Sequence, residues 1–324
     1  MIIVTGAAGF IGSALVWKLN ERGHTAIGVV DQNLDANTKA DNLRKRTFSE
    51  RIDASEFLPQ LESGAWNGKI SALFHLGACS DTTETDREFL RRNNTEYTNR
   101  LIAWCVKNNV YIAYASSAAT YGDGELGYSD DDKLTPRLKP LNLYGQSKLD
   151  TDIWVLENNL QDQVTGFRYF NVYGPNEYHK GGMRSLAQKG FEQIRDNGKL
   201  CLFKSYRIEY PDGGQKRDFI YVKDAVEAML WFYDNPKAKG IYNLGAGCAQ
   251  SWNDLAGALF HAMDKPKNIE YVDMPDNLKN QYQYFTEANL TKLRRAGCPT
   301  RFRPVEEGVA DYVKNYLSAS DPIL

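Results

Sequence analysis

Tyr144 and Lys148 stand four residues apart in the segment LYGQSK. On a helix that spacing puts both side chains on one face. An ammonium held near a phenol favours the phenolate and lowers its pKa. Such a hydroxyl can exchange a proton with an alcohol or a ketone during hydride transfer. The same pair arises by chance on exposed helices, so its meaning depends on its company. Upstream lies ASSAATYG, Ala115 to Gly122, at the end of an apolar run. A hydroxyl at the C-terminal end of a strand lies where open α/β sheets bind ligands.

A second constellation is Gly6, Gly9 and Gly12, directly after a short apolar run and opening an amphipathic one. Gly6 permits the tight turn, Gly9 lets a pyrophosphate approach the backbone, and Gly12 allows close helix packing. The free amides and dipole of the helix start then favour phosphates. Together the two constellations predict a nicotinamide dinucleotide, with Lys148 also able to bond the nicotinamide ribose. Asp31 follows about twenty residues on, where an acid bonds the adenosine ribose hydroxyls and favours NAD. Lys39, Arg44, Lys45 and Arg46 lie just downstream, and any of them could meet a 2′-phosphate; a solvated basic face is the default for such a run. The residues leave NAD and NADP both open.

These groups need a scaffold, and the first half of the chain supplies one. Ile2–Val4, Ala26–Val30, Ala72–Leu76, Val110–Ala115 and Val164–Phe170 read as strands. Phe10 to Arg22, with Ile11, Leu15 and Leu19 in register, reads as a helix stopped by Gly23. Asn94 to Lys107 also carries helical periodicity, and a helix bearing Tyr144 opens near Pro140. Alternation of this kind predicts a Rossmann-type doubly wound parallel sheet. From about residue 175 glycines, aromatics and charges mix irregularly, which predicts a smaller, mixed α/β substrate domain. The expected division is 1–174 for the dinucleotide, with segments near 216–247 returning to it, and 175–324 for the substrate.

Composition narrows the class. The chain has 324 residues, 42% of them hydrophobic, enough for a large core. Its 39 basic and 41 acidic residues give a net charge of -2, which makes no case for nucleic acid or a membrane surface. No apolar stretch is long enough to span a bilayer, and MIIVTGAAGF lacks the form of a signal peptide, so a cytoplasmic protein is expected. Five scattered cysteines without a CxxC pair fit reduced thiols. Four histidines without HExxH or a His/Cys cluster predict no metal.

The order GAAGFIG, ASSAATYG and YGQSK resembles the extended short-chain dehydrogenase/reductase superfamily. Four further segments resemble the ADP-L-glycero-D-manno-heptose 6-epimerase family more narrowly. They are HLGACSDTTETD from His75, FRYFNVYGPNEYHKGGM from Phe167, KRDFIYVKD from Lys216 and QYQYFTEANLTKLRRAG from Gln281. The resemblance runs from Met1 to about Tyr316. It implies epimerisation at C6″ of ADP-D-glycero-D-manno-heptose, by transient oxidation and re-reduction with bound NADP, for lipopolysaccharide core precursors. It implies a homo-oligomer as well.

By the same resemblance Ser117 orients the substrate, Tyr144 and Lys148 keep their roles, and Lys180 is the second acid/base. A carbon inverted through a ketone presents both faces to a fixed cofactor, so an acid/base on each side is useful. Without the resemblance, Lys180 reads as a phosphate-binding or solvated lysine. Phe10, Ile11, Asp31, Gln32, Lys39, Leu76, Gly77, Ala78, Cys79, Ser80, Asn93, Val172 and Lys180 match cofactor positions beside the glycines and Lys148. Asn171, Gly182, Lys189, Phe203, Lys204, Ser205, Arg217 and Tyr282 match substrate positions. Gly182 and Lys189 depart from the best-known members, and an insertion near Tyr206–Gly214 separates Phe203 from Arg217. Arg217 suits a diphosphate as a planar fork, against a surface ion pair as the plainer reading.

Two other functions compete. One is another nucleotide-sugar epimerase or dehydratase, acting on a UDP or GDP sugar at C4″ with NAD. Ala118 and Ala119 stand where a 4,6-dehydratase of the superfamily has an acidic pair. The other is a non-catalytic dinucleotide sensor, which commonly lacks the tyrosine or lysine kept here.

Overall fold

Runs with every residue buried make five of the seven strands in the main sheet of this computed structural model, which describes residues 1–32, 34, 39–279 and 282–324, the side chains of 277 and 278 excepted. The strands are β1 (Ile2–Thr5), β2 (Ile27–Asp31), β3 (Glu50–Asp53), β4 (Ala72–His75), β5 (Tyr111–Ser117) and β6 (Thr165–Tyr169). They continue with β7 (Asn171–Tyr173), β8 (Leu200–Phe203), β9 (Lys216–Tyr221), β10 (Gly240–Leu244), β11 (Ala249–Ser251) and β12 (Ile269–Val272). Seven strands run parallel in the order β10-β6-β5-β4-β1-β2-β3. Burial on both faces explains why β1, β2, β4, β6 and β10 read as continuous apolar runs and not as alternation.

Chain order reverses between β1 and β4, and there the C-terminal strand ends open a crevice. The helix Phe10–Glu21 leaves β1 into that crevice, and its buried face packs on Val222–Asp234 within one apolar core. The Tyr144 helix opens at Leu143, three residues beyond Pro140, because the Asn142 side chain accepts the Gly145 amide at 2.7 Å and caps it. Strand β5 extends through Ser116 and Ser117, pairing them with Arg168 and Tyr169.

The second layer is mixed. Strand β9 lies between antiparallel β11 and parallel β7, while β8 pairs with β12. Helices Leu186–Asn197, Trp252–Ala262 and Val305–Tyr312 close over them around Phe191, Leu259 and Val309. Strand β10, from the irregular half of the chain, adds to the edge of the main sheet beside β6. The basic run after β2 lies at the surface, with Arg44 and Lys45 exposed, and its side chains meet the last residues of the chain. Arg44 and Lys45 pair with Asp321, Lys45 donates to the Ile323 carbonyl at 2.7 Å, and Arg46 donates to Leu324 at 2.8 Å. Among the described residues no helix is long and apolar enough to cross a membrane.

Candidate active site

The glycine turn has no room for side chains. Gly6 has φ +65°, and a Cβ there would sit 2.6 Å from the Gly77 amide nitrogen. A Cβ on Gly12 would meet the Gly6 carbonyl oxygen at 2.1 Å, so the helix start and the turn touch backbone to backbone. Phe10 is buried below the turn and Ile11 half-buried beside it. Gly77 approaches from the next loop, its amide donating to Thr5 Oγ1 at 3.2 Å. Leu76, Ala78 and Cys79 are half-buried along that loop, and Ser80 is exposed at its end. A cradle of backbone amides at a helix N-terminus fits the pyrophosphate of a dinucleotide.

Ser117, Tyr144 and Lys148 come together at the end of β5. The Ser117 hydroxyl accepts the Ala119 amide at 3.1 Å. Burial raises the Tyr144 pKa, and the Ser117 side chain opposes that rise. Burial thus leaves the phenol raised, where the spacing with Lys148 predicts a lowered one. Burial brings the Lys148 ammonium down to about 8, against the opposing influence of Asp152 and Cys79.

A buried polar framework, absent from the expected site, fixes these three residues. Asp152, one turn beyond Lys148, accepts from Ser116 Oγ at 2.8 Å, Tyr114 OH at 2.9 Å and Arg168 Nε at 2.8 Å. Arg168 donates onward to Tyr121 OH at 3.1 Å and Thr135 at 2.9 Å. On the other side Asn94 Oδ1 accepts the Cys79 amide, while its Nδ2 donates to the Cys79 carbonyl and to Ser147 Oγ. Asn93, the expected contact, is half-buried and donates to Asn94 Oδ1 at 3.0 Å. A π-helical stretch, Arg91–Glu96, turns the pair inward before the α-helix Tyr97–Lys107 begins, and apolar periodicity carries no signal for it. His75 bridges Thr5 Oγ1 and Thr98 Oγ1, and burial keeps it neutral by lowering its pKa to about 3, with Lys148 adding to the effect.

At the adenosine side the two candidate readings meet in one ion pair. Asp31 is buried and accepts from the Ala8 amide at 2.9 Å, the Gln32 amide at 2.8 Å and Lys39 Nζ at 2.5 Å. Gln32 is exposed, and Asn33 lies outside the described residues. Lys180 reaches the same region from the turn Tyr178–Met183, its ammonium 5.5 Å from the centre of the Phe10 ring. Burial lowers its pKa, and Glu177 opposes this.

The expected substrate residues form two groups. Asn171 is exposed at the start of β7 with Val172 half-buried beside it, and Lys189 Nζ donates to the Gly182 carbonyl at 3.2 Å. Across from them Arg217 is only 6% exposed, so it is no surface residue. Its guanidinium lies 5.1 Å from the Tyr282 ring centre and 5.6 Å from that of Trp252, and it donates to the Lys216 carbonyl. Among the described residues no carboxylate lies within ion-pair distance of it. A buried cation faced by aromatic rings and lacking an acid has the chemistry to take an anion. The Phe203 and Tyr282 rings are 6.4 Å apart, which joins Phe203 to this group. Lys204 pairs with Asp273 at 3.2 Å, and Ser205 folds back on the insertion, its amide donating to Asp212. Asp218, next to Arg217, accepts the Ala246, Gly247 and Ala288 amides and so anchors the loops around the guanidinium.

Comparison with known proteins agrees with this geometry. A chain from Nitratidesulfovibrio vulgaris (strain DP4), named ADP-L-glycero-D-manno-heptose-6-epimerase, is 51% identical over all of both chains. The crystal structure of the Helicobacter pylori ADP-L-glycero-D-manno-heptose-6-epimerase superposes with a TM-score of 0.78 at 25% identity, covering 98% of this chain and 96% of that one. MoeE5 in complex with UDP-glucuronic acid and NAD superposes with a TM-score of 0.72 at 25% identity, over 97% of each chain. Residues 2–245 match the NAD dependent epimerase/dehydratase family. With that match and its full-length relative, the chain belongs to the NAD dependent epimerase/dehydratase family.

Proposed function

We propose that this chain epimerises ADP-D-glycero-D-manno-heptose at C6″ to the L-glycero form, in the cytoplasm, as a homo-oligomer with NADP bound. The observation that carries the reading is Ser117 at the end of β5 with Tyr144 and Lys148 one turn apart on the helix packed beside it, in a chain 51% identical throughout to one bearing that name. When bound, the nicotinamide supplies a reversible hydride acceptor. Ser117 holds the reacting oxygen, Tyr144 removes or returns its proton on one face, and Lys148 stabilises the phenolate. Lys180 serves as acid/base for the opposite face. Arg217, between Tyr282 and Trp252, takes the diphosphate. The reading assigns 1–174, with returning segments near 216–247, to the cofactor, and 175–324 otherwise to the sugar nucleotide.

NADP is favoured over NAD by Lys39. An isolated Asp31 carboxylate would repel a 2′-phosphate, whereas here it is already neutralised by the lysine at 2.5 Å. The test is proton NMR of the ADP-heptose after incubation with pure protein, paired with mass spectrometry of released cofactor. Appearance of the L-glycero epimer and NADP is expected. An unchanged heptose sinks the substrate, and turnover of a UDP or GDP sugar would install the competing epimerase. Cofactor binding without turnover of any nucleotide sugar would leave a sensor.

A further inference from the structure

Lys180 stands on a short turn, Tyr178–Met183, entered through Asn176 at a left-handed φ of +76° and bent again at Gly181, φ +53°. Asn176 is fully buried and ties the entry to the glycine helix, its Nδ2 donating to Ser13 Oγ at 2.9 Å. The next residue, Glu177, is 1% exposed, a burial that a carboxylate reaches only with partners. One of its oxygens accepts the Gly174 amide at 3.3 Å and the Ser185 hydroxyl at 2.7 Å, and the other accepts the Ser185 amide. Gly174 precedes the turn, and Ser185 follows it as the cap of the helix Leu186–Asn197. One buried side chain therefore staples the two ends of the turn together. Within the turn the Glu177 carbonyl accepts the Lys180 amide at 3.0 Å.

The charge of that staple reaches Lys180 as well. Both Glu177 oxygens meet backbone N–H groups, which only donate, and the ionised, acceptor-only carboxylate suits such partners. Burial raises the Glu177 pKa, and the Ser185 and Gly174 donors and Lys180 oppose the rise. In return, Glu177 opposes the loss of charge that burial imposes on Lys180. The other groups around the two are neutral or engaged elsewhere. Burial raises the Tyr178 and Tyr312 phenols, and burial, Lys39 and Lys180 bring the His179 ring down to about 4. Arg184 pairs with Glu192 at 2.6 Å, and Lys189 donates to the Gly182 carbonyl. Phe10 offers the Lys180 ammonium a ring and no charge.

We propose that Glu177 is the positioning residue for Lys180: it closes the turn that presents the ammonium and supplies the negative charge that balances it. The proposal rests on the reading of Lys180 as acid/base for the second face. There the ammonium gives its proton to the ketone oxygen as the carbon takes hydride from reduced nicotinamide, and the neutral amine takes the proton back in the reverse direction. A half-buried lysine without a counter-charge holds that proton more weakly.

The test compares wild type, Glu177→Gln, Glu177→Asp and Lys180→Met as full-length protein with its dinucleotide bound. Trace acetylation with acetic anhydride across a pH series, read by mass spectrometry on the peptide bearing Lys180, follows the titration of that ammonium. Steady-state kinetics on ADP-D-glycero-D-manno-heptose gives kcat and KM. Glu177→Gln removes the charge and should move the Lys180 midpoint down by about one pH unit. Its kcat should fall about ten- to a hundredfold at nearly unchanged KM. Glu177→Asp keeps the charge and shortens the reach, so the midpoint should stay while kcat still falls about tenfold. A Glu177→Gln chain whose Lys180 titrates as in wild type overturns the proposal and leaves the role of Lys180 standing. So does a Glu177→Asp chain with wild-type kcat, which decides the matter alone if Glu177→Gln does not fold. A Lys180→Met chain with wild-type turnover overturns the acid/base reading itself, and this proposal with it.

Discussion

Lys148 is the residue whose charge the site can least spare, and burial has brought it to the edge of losing that charge. With its pKa near 8, the ammonium beside Tyr144 disappears as pH rises through that value. Turnover is expected to fall over the same range, and a pH profile of kcat/KM checks it. Lys148→Arg, which stays charged, should move the alkaline limb upward even if the maximal rate drops. The stability sign is opposite. Between about 8 and the ordinary 10.5 the unfolded chain binds the extra proton, so folding stability rises with pH there, a slope Lys148→Met should abolish in thermal melts. Tyr144→Phe should cost about a hundred- to ten-thousandfold in turnover while the dinucleotide stays bound, as expected for loss of an acid/base. Lys180→Met separates two roles: an acid/base lowers kcat with cofactor affinity intact, whereas a phosphate-binding lysine lowers affinity alone.

At the scale of elements, two short features decide whether the chemistry is assembled. The helix carrying Tyr144 and Lys148 begins only because Asn142 caps it, and Tyr144 lies in its first turn. Asn142→Ala should cost about 1 kcal/mol of stability in urea unfolding, with a larger proportional loss of turnover, because the frayed turn is the one bearing the phenol. The glycine turn is less forgiving. Gly12→Ala places a methyl 2.1 Å from the Gly6 carbonyl, so the helix must move away from the turn. Overpacking of this kind predicts a loss of about 1–3 kcal/mol, and calorimetry should find dinucleotide affinity falling with it.

Across the whole molecule the buried polar framework ties the site to the sheet. Asp152 and Arg168 are both fully buried, and through Tyr114, Ser116, Tyr121 and Thr135 they join β5, β6 and the Tyr144 helix. Removing one member of a buried pair strands the other's charge. Asp152→Ala is therefore expected to cost about 3–5 kcal/mol, far more than loss of any surface ion pair here, and chemical denaturation measures it.

The residues proposed to touch phosphate, sugar or proton were legible in the sequence because local geometry dictates their types. A backbone turn pressed against another backbone requires Gly6 and Gly12. A four-residue helical spacing puts Tyr144 and Lys148 on one face, and an apolar run ending in hydroxyls marks a strand end. Those constraints act within a few residues and leave a pattern. The partners that hold the chemistry in place act across the fold and leave none. Asp152 reads as an ordinary helix carboxylate until Arg168 and Tyr114 arrive from neighbouring strands. Asn94 looks no different from Asn93 until the π turn points it at Cys79. That the exposed Arg44 and Lys45 and the half-buried Arg46 meet residues 321–324 leaves no local pattern either. Desolvation, too, belongs to the tertiary structure alone: it lowers Lys148 and raises Tyr144, where the spacing predicts a lowered phenol, because the cost of burying charge depends on everything packed around the pair.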